Sequence, residues 1–305
     1  MKLALIAEDP SFGASANLVE ALRQNDHQVA AIFENKDPKG FWQKVSSSFF
    51  VGNKFMLHDD GSKDRLIIVG SNAWDKFKFM NQPKTPITVI LTDSHYLRNY
   101  QRLNKEFTEA GATVFAMPDL MPFRENLPTL TYLPPFEISH IKVEKNKRFT
   151  ICHSPGPKVS TNAKGTREIR AAVHLFQRHH PNTEYLELTG LSHDECLLQK
   201  AKAHVFIDQI IPENRQINGY AGGLGKSGIE AMHLGCYVIS SITEPYTAFN
   251  FYDPKYSMPL EIYLNLLINE KEVVKNLAHK QHLKAMALSS YSSVANHVLQ
   301  TLQKS

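Results

Sequence analysis

Cysteine is scarce in this 305-residue chain: there are three, Cys152, Cys196 and Cys236, scattered and with no C-x-x-C pair. That excludes a disulfide framework and reads as buried free thiols in a reducing compartment. No stretch approaches the ~18 consecutive apolar residues that a membrane span needs. The start, MKLALIAEDPSFG, carries one lysine and an apolar run that ends on acidic residues. It reads as a strand and a loop rather than a secretion signal, so a cytoplasmic, soluble protein is expected, with membrane contact at most peripheral. Excess charge is missing too: 34 Lys and Arg against 30 Asp and Glu leave a net +4. With no basic cluster, a nucleic-acid partner is not expected, and the slight positive balance suits phosphate-bearing ligands or anionic surfaces. There is no D-x-D motif and no His/Cys/Asp/Glu group at ligand spacing, so neither a metal nor a cofactor is expected. Repeats and low-complexity tracts are absent as well.

What is present is a globular composition, 42% hydrophobic and 21% charged, on a chain long enough for two domains. Short apolar runs alternate with helical patterns, the signature of parallel sheets with crossover helices. In the first half LALIAE, QVAAIF, RLIIVG, ITVILTD and TVFAMP read as strands. ASANLVEALRQNDH and SHYLRNYQRLNKEFTEAG read as helices, while residues 49–64 read as an edge strand or loop. A polar stretch, EISHIKVEKNKR, precedes the strand FTICHS and marks the boundary. Beyond it TREIRAAVHLFQRHHP, SHDECLLQKAKA (capped by Ser192) and KSGIEAMHLG read as helices, with EYLELTG, HVFIDQI and CYVISS as strands. Mostly helical sequence follows from about residue 259. The pattern predicts an α/β protein of two Rossmann-like domains facing across a cleft, with boundaries at 1–145 and 146–287, and a helix over 288–305 that returns to the first domain.

The stretch GYAGGLGKSGIEAMHLG holds the sharpest chemistry. Gly-Lys-Ser after a glycine run suggests a Walker phosphate loop, but that loop needs a glycine five positions before Gly225, where Tyr220 stands. The spacing excludes it. The physical content survives, because flexible backbone leads into a helix N-terminus that favours an anion. Lys226 belongs to this turn, and Glu230 is placed in the first turn of the helix, either as a dipole-stabilising carboxylate or as an acceptor for vicinal ribose hydroxyls. Lys158 and Lys164 lie in the strand-to-helix loop after FTICHS, as diphosphate ligands or as ordinary surface lysines. His153 stands at that strand's end. Asp208 ends another strand, to cap a helix or contact a ligand. In the first half Asp93 and His95 follow ITVILT, as cleft residues or as a plain helix start.

Taken together, the order H-x-P, K-G-T, strand, S-H-D-E helix, I-D-Q, G-x-G-K-S-G-I-E-A-M-x-x-G, strand resembles the donor-binding domain of GT-B glycosyltransferases of the group 1 (family 4) type. The resemblance covers residues ~149–241, and the tail LSSYSSVANHVLQTLQ is similar to that family's last helix. It implies a retaining, metal-independent glycosyltransferase that takes a sugar from a nucleotide-diphosphate donor to an acceptor hydroxyl on a glycan, a lipid-linked or a small molecule. Glu230 then corresponds to the ribose-binding glutamate, and Lys164, with Lys158, to the diphosphate contacts. Gly223, Leu224 and Gly225 would bring backbone amides to the distal phosphate. His95, with Asp93, would approach the donor sugar from the first domain, and Gly13 would form that domain's glycine loop. The family's second glutamate, eight positions before Glu230, is here Gly222. That departure keeps open an epimerase or hydrolase of nucleotide sugars, and a catalytically weak binding module.

Overall fold

The computed structural model describes residues 1–7, 14–25, 27–33, 48–51, 54–57, 61–79, 83–92, 94–137, 141–155, 164–210, 224–241 and 258–303. The chain folds as two compact units, Met1–Pro135 with Ser289–Ser305, and Phe136–Leu288.

Along the first unit run β1 (Lys2–Ala7), α1 (Ala14–Arg23), β2 (Gln28–Phe33), β3 (Ser48–Val51), β4 (Lys54–Leu57), β5 (Arg65–Val69), α2 (Ser71–Lys76), β6 (Phe77–Phe79), β7 (Ile87–Leu91), α3 (Ser94–Glu109), β8 (Thr113–Ala116) and β9 (Thr129–Thr131). Six of these strands form a parallel sheet in the order β2-β1-β5-β7-β8-β9. Every residue of β5 and β7 is buried, which is why RLIIV and ITVIL are mostly apolar and do not alternate with polar residues. Helix α3 is followed by Gly111 at φ 61°, the left-handed position that glycine occupies most easily after a helix.

Residues 49–64, expected as an edge strand or loop, supply an edge strand, β3, and a second strand, β4. Strands β3 and β4 pair antiparallel, and β4 takes β6 in parallel, giving a separate three-stranded sheet.

The second unit contains β10 (Thr150–His153), α4 (Thr166–His179), β11 (Glu184–Glu187), α5 (His193–Lys202), β12 (Val205–Gln209), α6 (Lys226–His233), β13 (Tyr237–Ser240), α7 (Leu260–Asn269) and α8 (Lys271–Ser289). Its parallel sheet has the order β11-β10-β12-β13. Ile151, Val205, Ile207 and Ile239 from the strands pack with Ile169, Val173 and Phe176 of α4 and Leu264 and Leu267 of α7. The backbone of β13 is occupied by a side chain: Val238 N–H donates to Gln281 Oε1 at 2.7 Å, and Gln281 Nε2 donates back to Val238 O at 3.1 Å. A last helix, α9 (Tyr291–Leu302), packs on α1 of the first unit. No helix among the described residues is long and apolar enough to cross a membrane.

Candidate functional site

In the second sheet β10 and β12 are neighbours, with β11 outside one and β13 outside the other. The chain therefore leaves this pair in opposite directions, and the crevice at their carboxyl ends is the topological switch point where ligands of open α/β sheets bind. Asp208 lies there, fully buried, where the β12 register shifts between Ile207 and Gln209. Its Oδ1 accepts from Lys164 Nζ at 3.0 Å and its Oδ2 from the Gly225 N–H at 3.1 Å. One carboxylate thus ties the approach to α4 to the start of α6. The main chain repeats the tie, since Ile210 N–H donates to Lys164 O at 3.0 Å. Gly165 makes this possible at φ 71°, with a Cβ there placed 1.7 Å from Ile210 O.

His153 is also fully buried, but it is a brace. Its Nδ1 donates to Ile207 O at 2.7 Å and its Nε2 accepts from Thr166 Oγ1 at 2.9 Å, the tautomer being fixed because a carbonyl only accepts. Burial pushes the imidazole down to about 4, so it is neutral at ordinary pH, and neither ring nitrogen is left for a ligand.

Glu230 falls one turn later than expected. Helix α6 begins at Lys226 and has no acidic residue in its first turn, which removes the dipole-stabilising role. The carboxylate is instead 3% exposed, with two lysines and a histidine around it. Lys200 Nζ donates to Oε2 at 2.6 Å, His193 Nε2 to Oε1 at 2.7 Å, and Lys226 Nζ approaches Oε1 at 3.3 Å. Burial alone would raise the carboxyl, but Lys200, His193 and Lys226 outweigh it and hold it well below the usual carboxylate range. Three of roughly four lone-pair positions are taken, so Glu230 cannot accept two ribose hydroxyls while all three donors stay in place.

Lys200 and His193 are the site residues that the sequence reading missed. Lys200 is 2% exposed, on the α5 face that also buries Leu197 and Ala201. A lysine in that apolar i, i+3, i+4 stripe was the visible signal. His193 follows the Ser192 cap, where a reciprocal capping box with Glu195 starts α5.

Of the remaining expected residues, Leu224 is fully buried and Lys226 is the first residue of α6. Gly13, Asp93, Lys158, Gly222 and Gly223 lie outside the described residues. His95 is in the first turn of α3, where its Nε2 pairs with Asp75 at 3.2 Å and its Nδ1 with Ser71 Oγ at 3.0 Å. Arg102 holds the same Asp75 through two nitrogens, at 3.0 and 2.7 Å. The imidazole joins α2 to α3, and contact with a sugar would cost it one of these partners. Among the described residues no group of three or more His, Cys, Asp or Glu is placed to hold a metal.

No family model matches the sequence, and no curated protein matches it. Solved structures do match the fold over the full chain. Anabaena HepE in complex with UDP superposes with a TM-score of 0.61 at 11% identity, covering 100% of both chains. AviGT4, a glycosyltransferase involved in avilamycin A biosynthesis, gives 0.54 at 9%, covering 100% of this chain and 98% of the other. The UDP-GlcNAc 2-epimerase of Methanocaldococcus jannaschii in complex with UDP-GlcNAc and UDP gives 0.50 at 10%, covering 100% of both. The fold is thus the α/β, two-unit Rossmann-like type, as expected from the sequence.

Proposed function

We propose that this chain is a glycosyltransferase that binds a nucleoside-diphosphate sugar in its second unit and passes the sugar to an acceptor hydroxyl with retention. The observation that carries the reading is the convergence of Lys164, Asp208, Gly225, Lys226 and Glu230 at the switch point. The diphosphate would lie at the start of α6, against Lys164 and Lys226 and the first-turn N–H groups. About 7.5 Å further along the helix, at 1.5 Å per residue from Gly225, Glu230 would receive the ribose.

In the reaction the bond from the anomeric carbon to the phosphate oxygen breaks and a bond to the acceptor oxygen forms. The hydroxyl proton is released, and the nucleoside diphosphate leaves with its charge met by the lysines and amides. The charge is met by this chain's own groups, so the reading is metal-independent. The UDP-bound HepE structure supports nucleotide binding on this fold. An epimerase of nucleotide sugars is the second reading, because an epimerase is among the similar structures.

The test is a panel of UDP-, GDP- and ADP-sugars offered with mixed acceptors, followed by melting temperature and release of free nucleoside diphosphate. One donor should raise the melting temperature and be consumed with transfer. Altered sugar stereochemistry without transfer would favour the epimerase. No binding across the panel would remove both readings.

A further inference from the structure

Lys226 occupies an unusual place for a cation. It is the first residue of α6, where the helix dipole is positive and ammonium groups are disfavoured. Its side chain runs down the helix to Glu230, four residues on, and makes the longest of the three contacts to that carboxylate, 3.3 Å against 2.6 and 2.7 Å. The other two partners are set differently. Lys200 is almost wholly buried, at 2% exposure, and holds Oε2. His193 comes from α5, with 51% of its side chain exposed, and takes Oε1 through Nε2 at the shorter distance of 2.7 Å. Lys226, with 24% of its side chain exposed, is a flexible stem with an ammonium at its end, close to the helix start. Lys164 Nζ is at that start too, 3.6 Å from where a Cβ on Gly225 would lie.

We infer that Lys226 is an exchangeable latch on Glu230: it covers Oε1 in the empty site and swings to the diphosphate when a nucleotide arrives, which frees Oε1 to accept a ribose hydroxyl. This rests on the nucleoside-diphosphate reading above. The chemistry is a balanced exchange. One ammonium trades a carboxylate for a phosphate oxygen, and the vacated lone pair takes a hydroxyl donor in its place. A nucleoside without phosphates gives Lys226 nowhere to go, so it must compete with the lysine for Oε1. The site therefore selects nucleoside diphosphates over nucleosides by blocking its own ribose acceptor, besides attracting the phosphates. Glu230 stays an ionised, anchored carboxylate throughout, because Lys200, at 2% exposure, holds Oε2 whichever partner Oε1 has.

Calorimetry on the full chain separates this from a simple phosphate contact, because only the latch predicts that the nucleoside binds more tightly once the lysine is removed. The wild type is first ranked against UDP, GDP and ADP. The tightest of these and its parent nucleoside are then titrated into wild type, Lys226→Met and Lys226→Arg. Lys226→Met should bind the diphosphate about tenfold more weakly or worse, the loss of one charge-assisted contact, yet bind the nucleoside more tightly, by about threefold or more. Lys226→Arg should restore the wild-type preference. Nucleoside affinity that is unchanged or lower in Lys226→Met overturns the latch and leaves an ordinary phosphate lysine. A wild type that binds none of the three diphosphates overturns the nucleotide reading itself, and the latch with it. If Lys226→Met melts below the wild type, it is titrated at a temperature where circular dichroism shows it folded, and judged by the same signs.

Discussion

At the residue scale, Glu230 and Lys200 decide how the site can be probed. Both are almost completely buried, and each is the other's main charge partner at 2.6 Å. Removing one side of a buried pair strands the other charge in low dielectric, at ~3–5 kcal/mol, far more than the ~1.5–3 kcal/mol of a lost ligand contact. Glu230→Ala is therefore expected to lower stability by about 3–5 kcal/mol in denaturant unfolding. The double variant Glu230→Leu with Lys200→Met should recover most of that. A Glu230→Ala variant as stable as wild type would mean that Lys200 reaches water. This pair also marks where legibility in the sequence stopped. Lys164, Asp208 and Gly225 sit at a strand end and just before two helix starts, which follow from local pattern, whereas Glu230 lies a turn further into α6 than the pattern places it. Lys200 acts on Glu230 from 30 positions away, and no periodicity records which buried lysine meets which buried carboxylate. His153 shows the converse error, since a strand-end position cannot reveal that both ring nitrogens are already engaged.

At the element scale, the start of α4 depends on one backbone conformation. Gly165 is in the left-handed region at φ 71°, and a Cβ there would lie 1.7 Å from Ile210 O, a backbone atom that cannot swing away as a side chain would. Gly165→Ala should thus shift the loop carrying Lys164 away from β12, breaking the Ile210-to-Lys164 bond and the Lys164–Asp208 pair together. We expect a loss of stability of at least ~1–3 kcal/mol together with weaker nucleotide binding, read by thermal unfolding and calorimetry on the same sample. Loss of stability with unchanged affinity would show that Lys164 keeps its place without the turn. The elements themselves were largely legible, because most main-sheet strands are short apolar runs and α5 announces itself by Ser192 and Glu195; the edge strand β9, TLT, has no such run. The sheet β3-β4-β6 was not. SFFV and KFML are apolar without alternation, and the parallel partner FKF lies some 20 residues beyond β4. Such non-local pairing is set by tertiary context rather than by local preference.

At the scale of the whole molecule, the first unit is discontinuous in sequence: Met1–Pro135 is completed by Ser289–Ser305. Helix α9 buries Val294, Ala295, Val298, Leu299 and Leu302 and packs on α1, whose Leu18 and Leu22 are fully buried. Two further ties come from the same helix. Arg65 Nη2 of β5 donates to Leu302 O at 3.0 Å, and His297 Nε2 donates to Thr131 O of β9 at 2.8 Å. Burying a valine or leucine is worth ~1.5–3 kcal/mol, so the two valines and two leucines amount to roughly 6–12 kcal/mol. That is comparable with the entire stability of a typical domain, ~5–15 kcal/mol. A chain ending at Ser289 should therefore lose the first unit's fold and not merely soften it. Both tryptophans, Trp42 and Trp74, fall within the sequence span of the first unit, and Trp74 packs edge-on against Phe107 of α3, so tryptophan fluorescence reports that unit selectively. The truncated chain is expected to show a red-shifted emission with no cooperative transition on heating, while the second unit, which holds every residue of the candidate nucleotide site, still unfolds cooperatively by circular dichroism. Native tryptophan emission with an unchanged midpoint would show that α9 covers the first unit without holding it together.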